Sequence, residues 1–407
     1  MQPLRIILVM LEPPLPFGRA VGRWYYVLYK GLVERGHRVT AIAACSQPEE
    51  IAQVQREFTA SDYDLRCFPT TVQPGWRSRL RSLRQPHHYA FSADLRRTLQ
   101  TELDRGYDVL HLEDLWTGWL GREHSRRAVL SLHYLFSIDW ADAPTAGVTD
   151  WLRRISTVWA ERSLLRRYRS VCTLTPRLSR RVQELSPSSA VHTIPLCMDL
   201  SLYPFGESGG TSRPTIGLIG SFHWRPSYTA GVRLLTRLWP EIQRRVPAAR
   251  LMIAGRQASA AFAEYVGRPD IEILDNVPDI LPCFRRCDVL LYAPGRGSGM
   301  KVKVLEAFAL GVPVVTTSEG VEGLAAEDGV HAGVCEDDTG LIERTVLLLR
   351  DRDRRIAQTA AARRLVEETC SPQLGLDLVE QVYRTVVSTC VTNRPVGWAL
   401  LPVRSSL

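Results

Sequence analysis

Apolar residues along this chain fall into short, nearly continuous runs, separated by stretches with helical spacing. The runs at 5–10 (RIILVM), 38–44 (RVTAIAA), 108–114 (DVLHLED), 128–133 (AVLSLH) and 170–175 (SVCTLT) predict strands buried on both faces. Residues 23–36 (RWYYVLYKGLVERG) have helical spacing, and Gly36 is a natural stop before the next strand. The pattern breaks at 195–214 (PLCMDLSLYPFGESGGTSRP), a Pro-, Gly- and Ser-rich stretch that reads as a linker. A second alternating series follows, with strands predicted at 215–221, 250–255, 271–276, 288–294 and 313–318, and helices at 228–246, 258–266, 279–287 and 300–310. Residues 338–390 are almost all helical in pattern.

Two doubly wound parallel-sheet α/β domains in tandem are therefore expected. The first is 1–195, the linker 196–213 and the second 214–371. A helix over 372–390 is expected to pack back on the first domain, ahead of a mobile tail from 391 to 407. Sheets of this kind bind ligands outside the carboxyl ends of their strands, so two facing domains enclose a cleft there.

Length and composition fit this picture. The chain has 407 residues, 45% of them hydrophobic and 23% charged, which excludes collagen, coiled coil and wholesale disorder. Its net charge is +8, and its only lysines are Lys30, Lys301 and Lys303. The positive charge is concentrated in the first half. Residues 76–97 carry six arginines against one aspartate, and 152–181 nine against one glutamate. Such stretches are either solvated helix faces or an attraction for an anionic partner, a membrane surface among them. Trp76, Leu80, Leu83, Tyr89 and Phe91 among the arginines make an interfacial mix. No nucleic-acid-reading module is present, so that class is set aside. The nine cysteines show no CxxC or zinc spacing, which suggests a reduced, cytoplasmic protein. The first apolar run ends at Glu12-Pro13-Pro14, too short for a leader, and no apolar stretch is long enough to span a bilayer. His87-His88 lacks the companions a metal site needs. Glu113-Asp114 and Asp337-Asp338 read as a solvated strand end and a helix cap.

Chemistry concentrates at 294–315, PGRGSGMKVKVLEAFALGVPVV: strand, glycine-rich loop, helix, strand. Gly295, Gly297 and Gly299 allow the backbone close to a ligand, and free N–H groups at the helix start can hold an anion. Lys301 and Lys303 stand where a helix alone would prefer acids, so a bound anion is expected to offset them. Glu306 lies on the same helical side as Lys303, and a carboxylate there can accept from the two hydroxyls of a ribose. Together these residues describe a nucleotide site.

With GSFHWRP at 220–226, VPDI at 277–280, GSGMKVKVLEA at 297–307 and GVPVVTT at 311–317, the chain resembles the GT-B glycosyltransferases of the large retaining group 1, or family 4. The resemblance covers most of the chain and is strongest over 213–390. It implies two Rossmann-like domains, with the donor on the second and the acceptor on the first. The donor would be a nucleoside diphosphate sugar, UDP- or GDP-linked. It implies that Glu306 binds the ribose, Lys303 the diphosphate and the Val277 backbone the base, with Arg225 as a further phosphate contact. The first glutamate of the family's E-x7-E motif is replaced by Ser298, so the sugar hydroxyls would fall to the N–H groups of Gly299, Met300 and Lys301. In the first domain the family's Gly-Gly loop is represented only by Gly18 and Gly22, on the acceptor side. His133 matches the histidine that lines the donor-sugar pocket, or is a satisfied core histidine. Asp139 faces the acceptor or caps a helix. Lys303, Arg225 and His133 are thus the expected catalytic groups, without a metal or other cofactor. The acceptor would be lipid-linked, as in bacterial polysaccharide or glycolipid synthesis with the enzyme peripheral on the membrane, or a small natural product. A nucleotide-sugar 2-epimerase and a non-catalytic scaffold share the fold and remain alternatives.

Overall fold

A computed structural model describes residues 2–17, 20–71, 75–141, 145–209 and 213–392, the last three as backbone. The first sheet has seven strands: β1 (Arg5–Met10), β2 (Arg38–Cys45), β3 (Asp64–Pro69), β4 (Val109–Glu113), β5 (Ala128–Leu132), β6 (Ser170–Thr173) and β7 (Ala190–Thr193). They run in the order β3-β2-β1-β4-β5-β6-β7. The second has six: β8 (Thr215–Ile219), β9 (Arg250–Gly255), β10 (Ile271–Asp275), β11 (Val289–Tyr292), β12 (Val314–Thr316) and β13 (Gly333–Val334), in the order β10-β9-β8-β11-β12-β13. Every pairing is parallel.

The apolar runs follow from burial on both faces. In β1, Ile6, Leu8 and Met10 join one core cluster while Ile7 and Val9 join the cluster on the opposite face. Strand order reverses between β1 and β4 and again between β8 and β11, which makes the crevices beyond their carboxyl ends the natural ligand sites.

Three strands escaped the sequence reading: β3, β7 and β13, all at sheet edges. The two longer ones, β3 and β7, bury none of their residues fully. The helix expected over 228–246 is interrupted. It runs Arg225–Arg233, widens into a turn over Leu234–Leu238 and resumes as Trp239–Arg245. Pro240 explains the break, since it has no N–H to donate and its ring crowds the carbonyl one turn back. The segment 258–266 forms only one helical turn, Ala258–Ala261, and a tighter turn, Ala263–Tyr265.

The described part of the linker is packed rather than free. Cys197, Met198 and Tyr203 are buried, Gly209 N donates to Arg285 O (3.0 Å), and Arg363 donates to Tyr203 O (3.0 Å). The last helix, Pro372–Thr392, lies against the helix Ala20–Glu34. Gly31 makes that approach possible, because a Cβ there would sit 2.3 Å from Leu376. Arg35 pairs with Asp377 (2.6 Å) and His37 with Glu380 (3.1 Å) across the same junction. Among the described residues no helix is long and apolar enough to cross a membrane. Residues 393–407 of the expected tail lie outside the described residues.

Candidate active site

The glycine-rich loop leaves β11 and enters the helix Val302–Leu310, with Lys301 at its N-cap. Gly299 holds φ at +80°, and a Cβ on it would fall 2.1 Å from the carbonyl oxygen of His133. The loop of the second domain is thus pressed directly against the strand end of the first. Ser298 fastens the contact. Its Oγ accepts from Leu135 N (2.8 Å), and both its N and its Oγ lie 2.6 Å from Asp139 Oδ1, to which they donate. Asp139 therefore neither caps a helix N-terminus nor stands open to an acceptor: it binds across the domains. Burial raises its pKa, against the bonds from Ser298. Its Oδ2 is buried without a partner.

The two lysines of the loop-helix junction differ sharply. Lys301 turns back on its own loop, donating to Gly299 O (2.5 Å), with Glu322 at 3.5 Å. Nearby Arg177, on the helix Pro176–Leu185, pairs with Glu319 and Glu322, both at 2.7 Å, and donates to Gly297 O. The expectation that Lys301 offers its charge to an anion is corrected, because carboxylates already answer it. Lys303 has no such answer. Its ammonium donates to Ser227 Oγ (2.5 Å) and sits 4.2 Å above the Tyr292 ring. Among the described residues no carboxylate lies within salt-bridge distance. Burial, with Lys301 nearby, lowers its pKa to about 7 against the pull of Glu306 one turn away. Gly220, at the end of β8, makes room, since a Cβ there would lie 2.6 Å from this nitrogen.

Glu306, one turn further along the helix, is buried and paired with Arg23 of the first domain, and Tyr203 OH approaches it at 3.5 Å. Met300 packs at the domain junction, its sulfur 3.1 Å from Leu196 N. Val277 is half-buried just past β10. Arg225 is exposed at the start of its helix, two residues before Ser227. Gly22 lies in the first turn of the helix Ala20–Glu34, where a Cβ would meet Pro13 O at 2.9 Å. Gly18 lies outside the described residues.

His133 follows β5 and is buried, with Nε2 2.8 Å from Glu113 Oε2. Glu113 also accepts from Trp24 Nε1 (3.0 Å) and lies 3.2 Å from His111. Burial alone would raise its pKa, but His111 and His133 hold it well below the usual carboxylate range. In turn Glu113 raises the pKa of His133 against burial. Glu113 is thus a buried anchor, not the solvated strand end expected. His133 Nδ1 and the Tyr25 hydroxyl, whose rings are 5.6 Å apart, are buried without hydrogen-bond partners. Orphaned polar groups of this kind each cost of order 1–3 kcal/mol, which a polyhydroxylated ligand can relieve. Asp114, next in the chain, holds φ at +80° while accepting from Trp116 N (3.0 Å). Such a backbone is costly outside glycine and collects at ligand sites.

Among the described residues, a cation with no carboxylate in salt-bridge distance and an orphaned imidazole fit a ligand with both phosphate and hydroxyl groups. A family model described as a glycosyl transferase 4-like domain matches residues 21–197, and one described as glycosyl transferases group 1 matches 213–351. The chain belongs to the glycosyltransferase family. Solved structures with the GT-B fold match this transferase along nearly its whole length. Sucrose-phosphate synthase from Thermosynechococcus elongatus is 14% identical with a TM-score of 0.71, covering 95% of this chain and 100% of its own. Anabaena HepE, in complex with UDP and glucose, is 13% identical with a TM-score of 0.66, covering 94% and 100%. WaaG, a glycosyltransferase involved in lipopolysaccharide biosynthesis, is 16% identical with a TM-score of 0.64, covering 94% and 99%. No curated protein matches the sequence.

Sequence reasoning missed Arg23, Arg177, Glu319 and Glu322 of the transferase altogether. One signal for Glu113 was available. His111 and Glu113 are two apart on a strand and so share a face, beside the strand that leads to His133.

Proposed function

We propose that this glycosyltransferase takes a sugar from a nucleoside diphosphate donor on the second domain and passes it, with retention, to an acceptor on the first. The observation that carries the reading is Lys303, a half-buried ammonium with a hydroxyl and an aromatic ring for neighbours and, among the described residues, no carboxylate within salt-bridge distance. A diphosphate supplies that charge, and the ammonium is then placed to stabilise it as the glycosidic bond breaks. Glu306 receives the ribose after releasing Arg23, and Val277 borders the base. Two neighbours of the same fold, HepE and S. aureus TarM, are described with UDP bound, which favours uridine as the base.

Retention, in this reading, proceeds without a protein nucleophile, because Glu113 is ill suited to be one. Both its oxygens are engaged and its basicity is suppressed, so it is a poor nucleophile. In the proposed step the bond from the anomeric carbon to the diphosphate breaks. The acceptor oxygen bonds on the same face, and its proton passes to the departing phosphate. With Lys303 present no metal is required, and turnover is expected to survive a chelator.

Calorimetry across UDP-, GDP-, ADP- and dTDP-sugars tests the donor site. One class should bind, and Lys303→Met should abolish the effect and lower turnover by ~10²–10³. Binding of none would contradict the reading. Donor breakdown that needs no acceptor would favour the epimerase alternative.

A further inference from the structure

Exposed large apolar side chains are unevenly spread over this molecule. Among the described residues, fifteen are exposed, and eight of them lie on two helices, Gly75–Arg84 and Val148–Leu165. These two helices pack beside each other on the first domain. Trp151, Ile155 and Trp159 recur one helical turn apart, so they form a stripe. The opposite face of that helix is buried through Ala160, Glu161 and Leu164. Trp76 and Leu80 form a similar stripe on the other helix, which buries none of its residues fully. Isolated helices of this length are marginal in water. A helix that packs only through half-buried positions such as Ser78 and Ser82 and exposes a tryptophan at 67% therefore offers an apolar face for another surface.

The charge around the stripes says which surface. Arg77, Arg79, Arg81 and Arg84 share the first helix with Trp76 and Leu80, and among the described residues none has a carboxylate within salt-bridge distance. Tryptophan with aliphatic residues and unpaired arginine is the composition that settles at an anionic lipid headgroup layer. Tyr89 is half-buried and Phe91 buried, so the interfacial mix read from the sequence narrows to 75–84 and gains the second helix.

We propose that these two helices dock the enzyme on an anionic bilayer, and that the bilayer presents a lipid-borne acceptor to the cleft. The second half of this rests on the transferase reading above. The face is connected to the cleft by short links. Glu161 accepts from Phe136 N (2.6 Å) and Ser137 N (3.1 Å), and the same short helix ends in Asp139, bound to Ser298 of the donor loop. Trp140 stacks on Phe136 with ring centroids 4.5 Å apart, and Arg154 of the longer docking helix lies over its ring. An acceptor head reaching the cleft along this edge would stay attached to its membrane anchor.

Co-sedimentation with vesicles tests it, using phosphatidylcholine alone and phosphatidylcholine mixed with phosphatidylglycerol. The chain should bind only the anionic vesicles and release them at high salt. Trp151→Ser combined with Trp159→Ser, and separately Arg77→Gln with Arg81→Gln, should each weaken binding at least about tenfold. All four side chains are exposed, so the fold tolerates the changes and donor calorimetry should be unaltered. Failure of the wild-type chain to bind donor would count against the transferase reading, not against this face. No vesicle binding, or equal binding to neutral vesicles, would overturn the proposal. A dimer in sedimentation velocity that the tryptophan variants split would overturn it too, by giving the face to a second copy of the chain.

Discussion

Lys303 and Glu306 share one helix face, three residues apart, yet meet different fates in the donor-free chain. Among the described residues Lys303 has no carboxylate within salt-bridge distance, whereas Glu306 is held by Arg23. If Glu306 takes the ribose, Glu306→Ala should weaken donor binding by roughly 1.5–3 kcal/mol, as expected for bonds to a charged group. Calorimetry with the preferred donor reads this directly, and unchanged affinity would remove Glu306 from the site. Both residues were visible in the sequence because their signal is local: a glycine loop, a helix start and fixed spacings within a dozen residues. Ser298 was visible as a departure from the family motif, but its bonds to Asp139 and Leu135 were not. Arg23, Glu113 and Arg177 were hidden for one reason. Each acts on a partner brought near only by the fold, and an arginine in a chain so rich in them carries no signal of its own.

At the scale of elements, the apolar runs mark central strands because both faces of those strands are covered. Edge strands β3 and β7 bury none of their residues fully, so they show no such run, and β13 is two residues long; β10, at the other edge, keeps an apolar run and was read. The helix Val148–Leu165 shows what an element does beyond packing. It sets Glu161 beneath two free N–H groups of the short helix Phe136–Asp139. Burial raises the pKa of Glu161 to about 7, against those two bonds. The folded chain therefore keeps a proton there that the unfolded chain loses near pH 4.3. Between about pH 4.3 and 7 the folded state binds more protons, so this group's contribution to stability falls as pH rises. Urea midpoints measured at about pH 5 and pH 7 should drop across that interval in the wild-type chain. In Glu161→Gln the drop should be smaller. An equal drop in both would assign the effect to other groups.

At the scale of the whole molecule, two sheets meet through the donor loop, which leans on the first domain at Gly299, Ser298 and the Arg177 cluster. The last helix returns to the first domain and reaches as far as His111, whose Nδ1 lies 2.5 Å from Tyr383 OH. The fold class was legible because alternation of runs and helices persists along the chain. The packing of the domains against each other was not, since it depends on side chains far apart in sequence. What this assembly achieves electrostatically is a half-buried cation, Lys303, with no carboxylate within salt-bridge distance among the described residues. That claim is tested most directly by titrating the nucleoside diphosphate at about pH 8 in buffers of differing ionisation heat. With its pKa near 7, Lys303 is mostly neutral at that pH in the free chain and charged once the diphosphate sits beside it. Binding should then take up about one proton, and Lys303→Met should take up none. Tight binding with no proton uptake, or the same uptake in the variant, would show that the anion is held elsewhere.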